Sequence, residues 1–235
     1  MAFNHDYWRG IFERDFLPQL RSIVDALDSR MLPGFEGIEQ EAEQHSDEMY
    51  RQLGEMPGTG DEDLSVLAEA AMDAGVNHYM LLRGIRQGIV NLFAASLFHA
   101  FEQQIMLFHR KEILQPAEAN DSKLFKLAVF RSRLLVHGID IYAFQTWPVI
   151  DELRLVANTV KHAEGDSAQR LHELRPDFFK EHGLPGLGEW VTRWQPRVFQ
   201  PLVGKDLFLE LKDVRAYLNT LVGFWEELST AIAKV

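Results

Sequence analysis

Cysteine is missing from all 235 residues. Disulfide staples and thiolate metal sites are thereby excluded, and a reducing, cytoplasmic setting is the expected one. Long apolar runs are missing as well. The longest weakly polar stretch, GIVNLFAASLFHAF, is shorter than the ~20 residues that span a bilayer, and it contains Asn91 and His99. It reads as a buried core helix, and no membrane partner is expected. The N-terminal MAFNHDYWRGIFERDF is interrupted by charges throughout, unlike a signal peptide. No P-loop occurs: GLPGLG has Pro185 inside it and no strand leading in. Neither a G-x-S-x-G elbow nor an H-E-x-x-H pair occurs, and the nine histidines do not recur at ligand spacing. These absences argue against a P-loop NTPase, a serine hydrolase and a zincin, and no metal or cofactor is expected.

What is present is a chain that is 46% apolar, enough for a real core, and 25% charged. The net charge of −11 is concentrated in one place. Residues 31–82 carry twelve acids and one base, 1 − 12 = −11, and the remaining 23 bases and 23 acids cancel. The body is therefore neutral and one segment strongly acidic. That segment reads either as a solvated, partly mobile face or as a shield for a basic surface in cis or in a partner.

Helical period dominates. Ile11, Phe12, Phe16, Leu20, Ile23, Val24 and Leu27 mark a helix over 6–28, which Pro33, Gly34 and Gly37 break. An acidic helix over 38–54 follows. From Leu64 to Leu114 the pattern predicts two helices or one kinked one, with weak points at Gly75, Gly84 and Gly88. Asn120 or Asp121 caps a helix reaching Val136, with Gly138 as its stop. Pro148 opens the next helix and Gly165 closes it. Asp166 or Ser167 caps a short helix to Leu174. The run VFQPLVGKDLFLEL suggests a small β-hairpin around Gly204-Lys205-Asp206, with Pro201 confining its first strand to an edge. A last helix covers Val214 to Ile232. The expected fold is an all-α helical bundle with that hairpin as an accessory. It divides into an N-terminal helix and acidic arm (1–62), a bundle core (63–176), and a closing loop, hairpin and helix (177–235).

One helix carries the functional question. In DELRLVANTVKHAEGDSA, the polar groups Asp151, Arg154, Asn158, Lys161 and His162 share an arc about 100° wide at helical periodicity. Ile150, Leu153, Val156, Ala157 and Val160 form the neighbouring core-facing arc, and Leu155 falls on the polar side. These groups could cut RNA without metal. His162 would move a proton, Arg154 and Lys161 would hold a phosphate, and Asn158 would orient the 2′-hydroxyl or the histidine. The plainer alternative is that Lys161 and His162 complement the helix dipole while Arg154 pairs locally with Asp151 or Asn158.

The segment LRLVANTVKHAEG resembles the signature of HEPN domains, helical bundles of prokaryotic toxin and defence proteins. The likeness covers about residues 77–175, including the aromatic-rich NLFAASLFHAFEQQ before the motif helix. The family motif is an arginine, usually a polar residue such as asparagine after it, then a histidine four to six residues on. Here Ala157 stands before Asn158 where arginine belongs, and seven residues separate Arg154 from His162. The resemblance implies a toxin–antitoxin or defence role, metal-independent RNA cleavage, and a homodimer with its site at the interface. His162, Arg154 and Asn158 would be catalytic and Lys161 would bind substrate; RNA and an antitoxin or other protein are the implied partners. The alternative is a non-catalytic helical protein that docks a partner through the cationic stripe or the acidic arm.

Two further groupings stand out. His99 and Glu102, three residues apart, read as a buried hydrogen-bonded pair supporting the core rather than as metal ligands, because the other helices offer no repeated partner. Arg110, Lys111, Lys123, Lys126, Arg131 and Arg133 precede the motif helix. Arg131 and Arg133 fall roughly 200° apart on a helix and cannot face one groove.

Overall fold

The asparagine side chain at position 4 accepts a hydrogen bond from the Tyr7 backbone N–H and so starts the first helix. The computed structural model describes residues 3–55, 64–180 and 197–235. α1 (His5–Ile11) runs through a π-helical turn (Phe12–Phe16) into α2 (Leu17–Ala26). Pro18 lacks the N–H that would bond back into the preceding turn, and the continuous helix takes a π turn just before it. A second π turn (Leu27–Met31) and a 3-10 turn containing Pro33 end this segment, as the breaker residues predict.

Gly37, at φ +81°, turns the chain into α3 (Ile38–Glu55). The acidic stretch is thus a formed helix, packed antiparallel on α4 (Leu64–Phe108). Ser46 Oγ donates to the Ala71 carbonyl at 2.9 Å, while Glu41 meets His78 at 3.0 Å farther along. A Cβ on Gly75 would lie 2.9 Å from the Ala42 carbonyl oxygen, so that glycine permits the close approach.

α4 is one helix of 45 residues, about 67 Å at 1.5 Å per residue. Gly75, Gly84 and Gly88 do not divide it. Each lies where another backbone comes close, and packing outweighs the roughly 1 kcal/mol per site of lost propensity. The C-terminal half of α4 is the centre of the bundle. Val90, Ala94, Leu97, Phe98, Phe101, Ile105 and Phe108 are buried against α2, α6 (Trp147–His162) and α8 (Leu211–Ile232). Trp225 of α8 packs on Phe12, Phe16, Phe101 and Phe224. Its indole N–H donates to Gln104, which in turn donates to the Phe16 carbonyl and to Gln19. Three helices are pinned at that one polar point inside the core.

α4 ends in a third π turn (His109–Ile113). The helix predicted to start at Asn120 or Asp121 begins later. Asp121 caps only a 3-10 turn (Ser122–Leu124), and α5 spans Leu127–Leu135 with Gly138 beyond it at φ +79°. Pro148 opens α6 as expected. α7 (Asp166–Leu174) follows, with Gly165 at its N-cap.

The predicted hairpin is not formed, and no strand occurs among the described residues. Pro201–Val203 is a 3-10 turn and Gly204 is left-handed at φ +73°. The reason is where the carbonyls go. Asn91 of α4 donates to the Pro201 and Leu207 carbonyls at 2.7 and 2.9 Å, and Gln87 donates to Leu209 at 2.8 Å. Side chains of α4 satisfy groups that a second strand would otherwise pair. The capping box between Glu210 and Asp213 then starts α8. Among the described residues no helix is long and apolar enough to cross a membrane.

Candidate functional site

α6 buries Ile150, Leu153, Val156, Ala157 and Val160, as its period predicts. Leu155, placed by the helix wheel on the polar side, is instead only 3% exposed. α6 is covered by α4, α7, α8 and the 201–203 turn together, so its apolar arc is wider than a two-layer wheel allows. Thr159 is buried as well. The polar strip that remains is correspondingly narrow.

Along this strip Asp151, Arg154 and Asn158 are half-buried, and Lys161 and His162 are exposed. Arg154 does not reach out. Its Nε donates to Asp151 Oδ1 at 2.8 Å, and Nη2 lies 2.7 Å from the same oxygen. The other carboxylate oxygen of Asp151 meets Arg170 of α7 at 3.4 Å. Arg170 therefore belongs to this face; sixteen residues from Arg154 and on another helix, it gives no signal in the motif. Asn158, Lys161 and His162 make no hydrogen bond or ion pair among the described residues. Past His162 the chain turns sharply, with Ala163 at φ +58° and its N–H bound to the Thr159 carbonyl. The strip thus has two parts, an internally neutralised Asp151–Arg154–Arg170 group and an open end carrying Lys161 and His162. Among the described residues no titratable side chain is within bonding distance of the imidazole to orient it or relay its proton.

The strongest electrostatic assembly lies on the other edge of α6. Glu152 accepts from Arg175 at 2.8 Å and from the Tyr217 hydroxyl at 2.5 Å. Arg175 also grips Asp177, approaches Asp213 at 3.5 Å and lies 3.7 Å over the Phe178 ring. The hydrogen bond to Asp177, with Glu152 beside it, raises the Arg175 pKa further. Burial, then the bond to Glu152, pushes the Tyr217 hydroxyl far up. With every member paired, this is a fastener joining α6, the end of α7 and α8.

His99 and Glu102 do pair, at 3.0 Å, but their side chains are 41% and 43% exposed. The pair is not in the core. It sits on the outer face of α4 because the inner face at that level is taken by Phe98 and Phe101. It lines the rim of a recess of about 690 Å³ between α4 and residues 125–127, floored by Met106, Leu107, Phe125 and Leu127. Arg110, 4.3 Å over the Phe125 ring, and Lys126 complete the rim. Among the described residues no group of three histidine, aspartate or glutamate side chains is arranged to hold a metal ion. Of the six bases before the motif helix, Arg131 is bound by Asp140 and Arg133 by Glu118. Arg110, Lys111, Lys123 and Lys126 carry no ion pair among the described residues.

No family model, no curated protein and no solved structure matches this chain.

Proposed function

We propose that this chain is a non-catalytic helical interaction protein, built on a bundle of the HEPN kind, and that its work is docking rather than RNA cleavage. The observation that carries this reading is the state of the motif arginine. Ala157, which stands where the HEPN signature has arginine, is fully buried. Arg154, the nearest substitute, is held by Asp151 through two nitrogens. Pulling it onto a phosphate would leave Asp151, itself only 32% exposed, with Arg170 at 3.4 Å as its remaining partner among the described residues. The reading is also supported by the α3–α4 hairpin. Its described residues 38–55 and 64–82 carry eight acids and one base, 1 − 8 = −7, on two helices that hold each other closely. Such a surface attracts basic partners and repels nucleic acid. A toxin–antitoxin or defence setting is the natural home of this reading.

A second reading, a metal-independent endoribonuclease, is favoured by one observation: Lys161 and His162, at the end of the motif helix, are exposed and have no ion pair or hydrogen bond among the described residues. One assay separates the two. Purified protein is incubated with single-stranded RNA in the presence of a chelator, alongside His162→Ala. The interaction reading expects intact RNA with both proteins. Cleavage by the wild type that His162→Ala abolishes, at an unchanged melting temperature, would establish the nuclease instead.

A further inference from the structure

In a chain of net charge −11, the end of α4 and the segment after it leave cations unmatched. Residues 106–127 carry four bases and three acids, 4 − 3 = +1. Each of those acids is turned to another donor. Glu112 accepts from the Asn4 backbone N–H and the Trp8 indole, both at 2.7 Å. Glu118 accepts from the Gln115 N–H and Arg133, and Asp121 from the Lys123 N–H. Arg110 and Lys126 are thereby left without an ion pair among the described residues, and both stand on the rim of the recess of about 690 Å³ between α4 and residues 125–127. Arg110 lies 4.3 Å over the Phe125 ring, a contact that orients the guanidinium and leaves its N–H donors without an acceptor among the described residues. The floor below is apolar and open to water: Leu107 is 44% exposed, and Met106, Phe125 and Leu127 are half-buried. The volume falls within the roughly 300–1,000 Å³ of small-molecule sites, which combine such a lining with a few placed polar groups.

We infer that this recess is a binding site for a small amphipathic carboxylate, a flat aromatic body carrying a single anionic end. The carboxylate is held by Arg110 and Lys126. The planar guanidinium presents two N–H donors side by side, the spacing of two carboxylate oxygens, and the ammonium adds a second charge. A multiply charged phosphate is a poorer fit. Beside the two cations the lining is apolar, so its further oxygens would be buried without donors. The far end of the recess fixes the orientation. Glu102, eight residues before Arg110 and about 12 Å away along the helix axis, is paired with His99 at 3.0 Å. Its charge repels a carboxylate, so the anionic end goes to Arg110 and the apolar body lies along α4 over Met106. The flexible thioether of that methionine adapts to a flat ring. The His99–Glu102 pair, which does not support the core, becomes the polar end wall of a ligand site. The recess shares no residue with the α6 strip or the α3–α4 hairpin. It therefore goes beyond the docking reading and stands whether or not that reading does.

Isothermal titration of the full chain with naphthalene-2-carboxylate, near neutral pH and at low salt, is expected to show a single saturable site. Two controls divide the ligand. Naphthalene-2-carboxamide keeps the body without the charge, and acetate keeps the charge without the body. Each should bind at least about tenfold more weakly than the carboxylate. Arg110→Ala with Lys126→Ala should weaken the carboxylate by about tenfold or more and change the carboxamide far less. Leu107→Gln should weaken both naphthalenes. All three replaced side chains are exposed, so the melting temperature of each variant should match the wild type. No saturation by the carboxylate would overturn the inference. So would a carboxamide that binds as tightly as the carboxylate, or a double variant with undiminished affinity, which would put the ligand elsewhere on the protein.

Discussion

Bringing the protein from neutral pH down to about 4 is expected to remove about 3 kcal/mol of folding stability through one side chain, His109. The residue sits in the π turn that ends α4 and is completely buried. Neither ring nitrogen meets a hydrogen-bond partner among the described residues, and the ring packs edge-on to Phe130 at 5.5 Å. Burial holds its pKa down to about 4 from 6.5. The Arg133 cation acts in the same direction, and the Glu118 carboxylate paired with that arginine opposes it. Because the folded-state value lies below the unfolded one, the unfolded chain takes up its proton first. Stability that is fully present above pH 6.5 is lost progressively as pH falls through about 4, below which both states are protonated. The carboxylates add their own acid lability lower down. Glu118 is held below its usual range by the Gln115 N–H and Arg133, and Asp140 by Arg131 and the Tyr142 N–H. Urea midpoints measured across this range for the wild type and for His109→Phe separate the two contributions. The variant lacks the titrating ring, so the difference between the curves should be level above 6.5 and change steadily below it. Parallel curves would mean that the imidazole is not dry.

That histidine also marks where sequence reading stops. Nothing in FHRKEI distinguishes it from the exposed His162, since both end a helix among basic neighbours. The distinction is made by what packs on the end of α4, where the Phe130 ring of α5 lies edge-on to the imidazole. The helices themselves were legible because their apolar spacing is regular and their stops are glycine or proline. The span of α3 is within one residue of the periodicity, and Pro148 opens α6. The hairpin was misread for a local reason. VFQPLV and LFLEL have strand composition, but composition does not reveal that Asn91 and Gln87, more than a hundred residues earlier, take the carbonyls.

The α6 strip was legible in part, and its limits are instructive. The i, i+3 pairing of Asp151 with Arg154 is a local rule, and it holds. What sequence spacing could not supply is the third member, Arg170, or the burial of Leu155, because both depend on how α7 and the 201–203 turn close over the helix. The Glu152–Arg175–Tyr217 fastener is invisible for the same reason: its partners lie 23 and 65 residues away. A further misreading concerns the glycines of α4, which propensity marks as weak points and the structure uses as points of contact.

Gly88→Ala tests that last distinction, and the expected result is a loss of roughly 1–5 kcal/mol. In a free helix the change would stabilise by roughly 1 kcal/mol. Here the new Cβ would lie 2.0 Å from the Leu202 carbonyl oxygen and 2.8 Å from its carbon, both backbone atoms that cannot rotate aside. Overpacking of this kind costs roughly 1–3 kcal/mol. Displacing the turn also strands the Asn91 amide, which is buried and donates to two carbonyls of the same segment, at roughly 1–3 kcal/mol more. The penalties exceed the propensity gain, so the sign is set by contact. Gly10, inside α1 with nothing within 4 Å of its added Cβ, supplies the opposite case. Gly10→Ala is expected to stabilise by roughly 0.5–1 kcal/mol. Chemical denaturation of the two variants should therefore move in opposite directions from the wild type. A stabilised Gly88→Ala would mean that the 201–204 turn does not rest on α4.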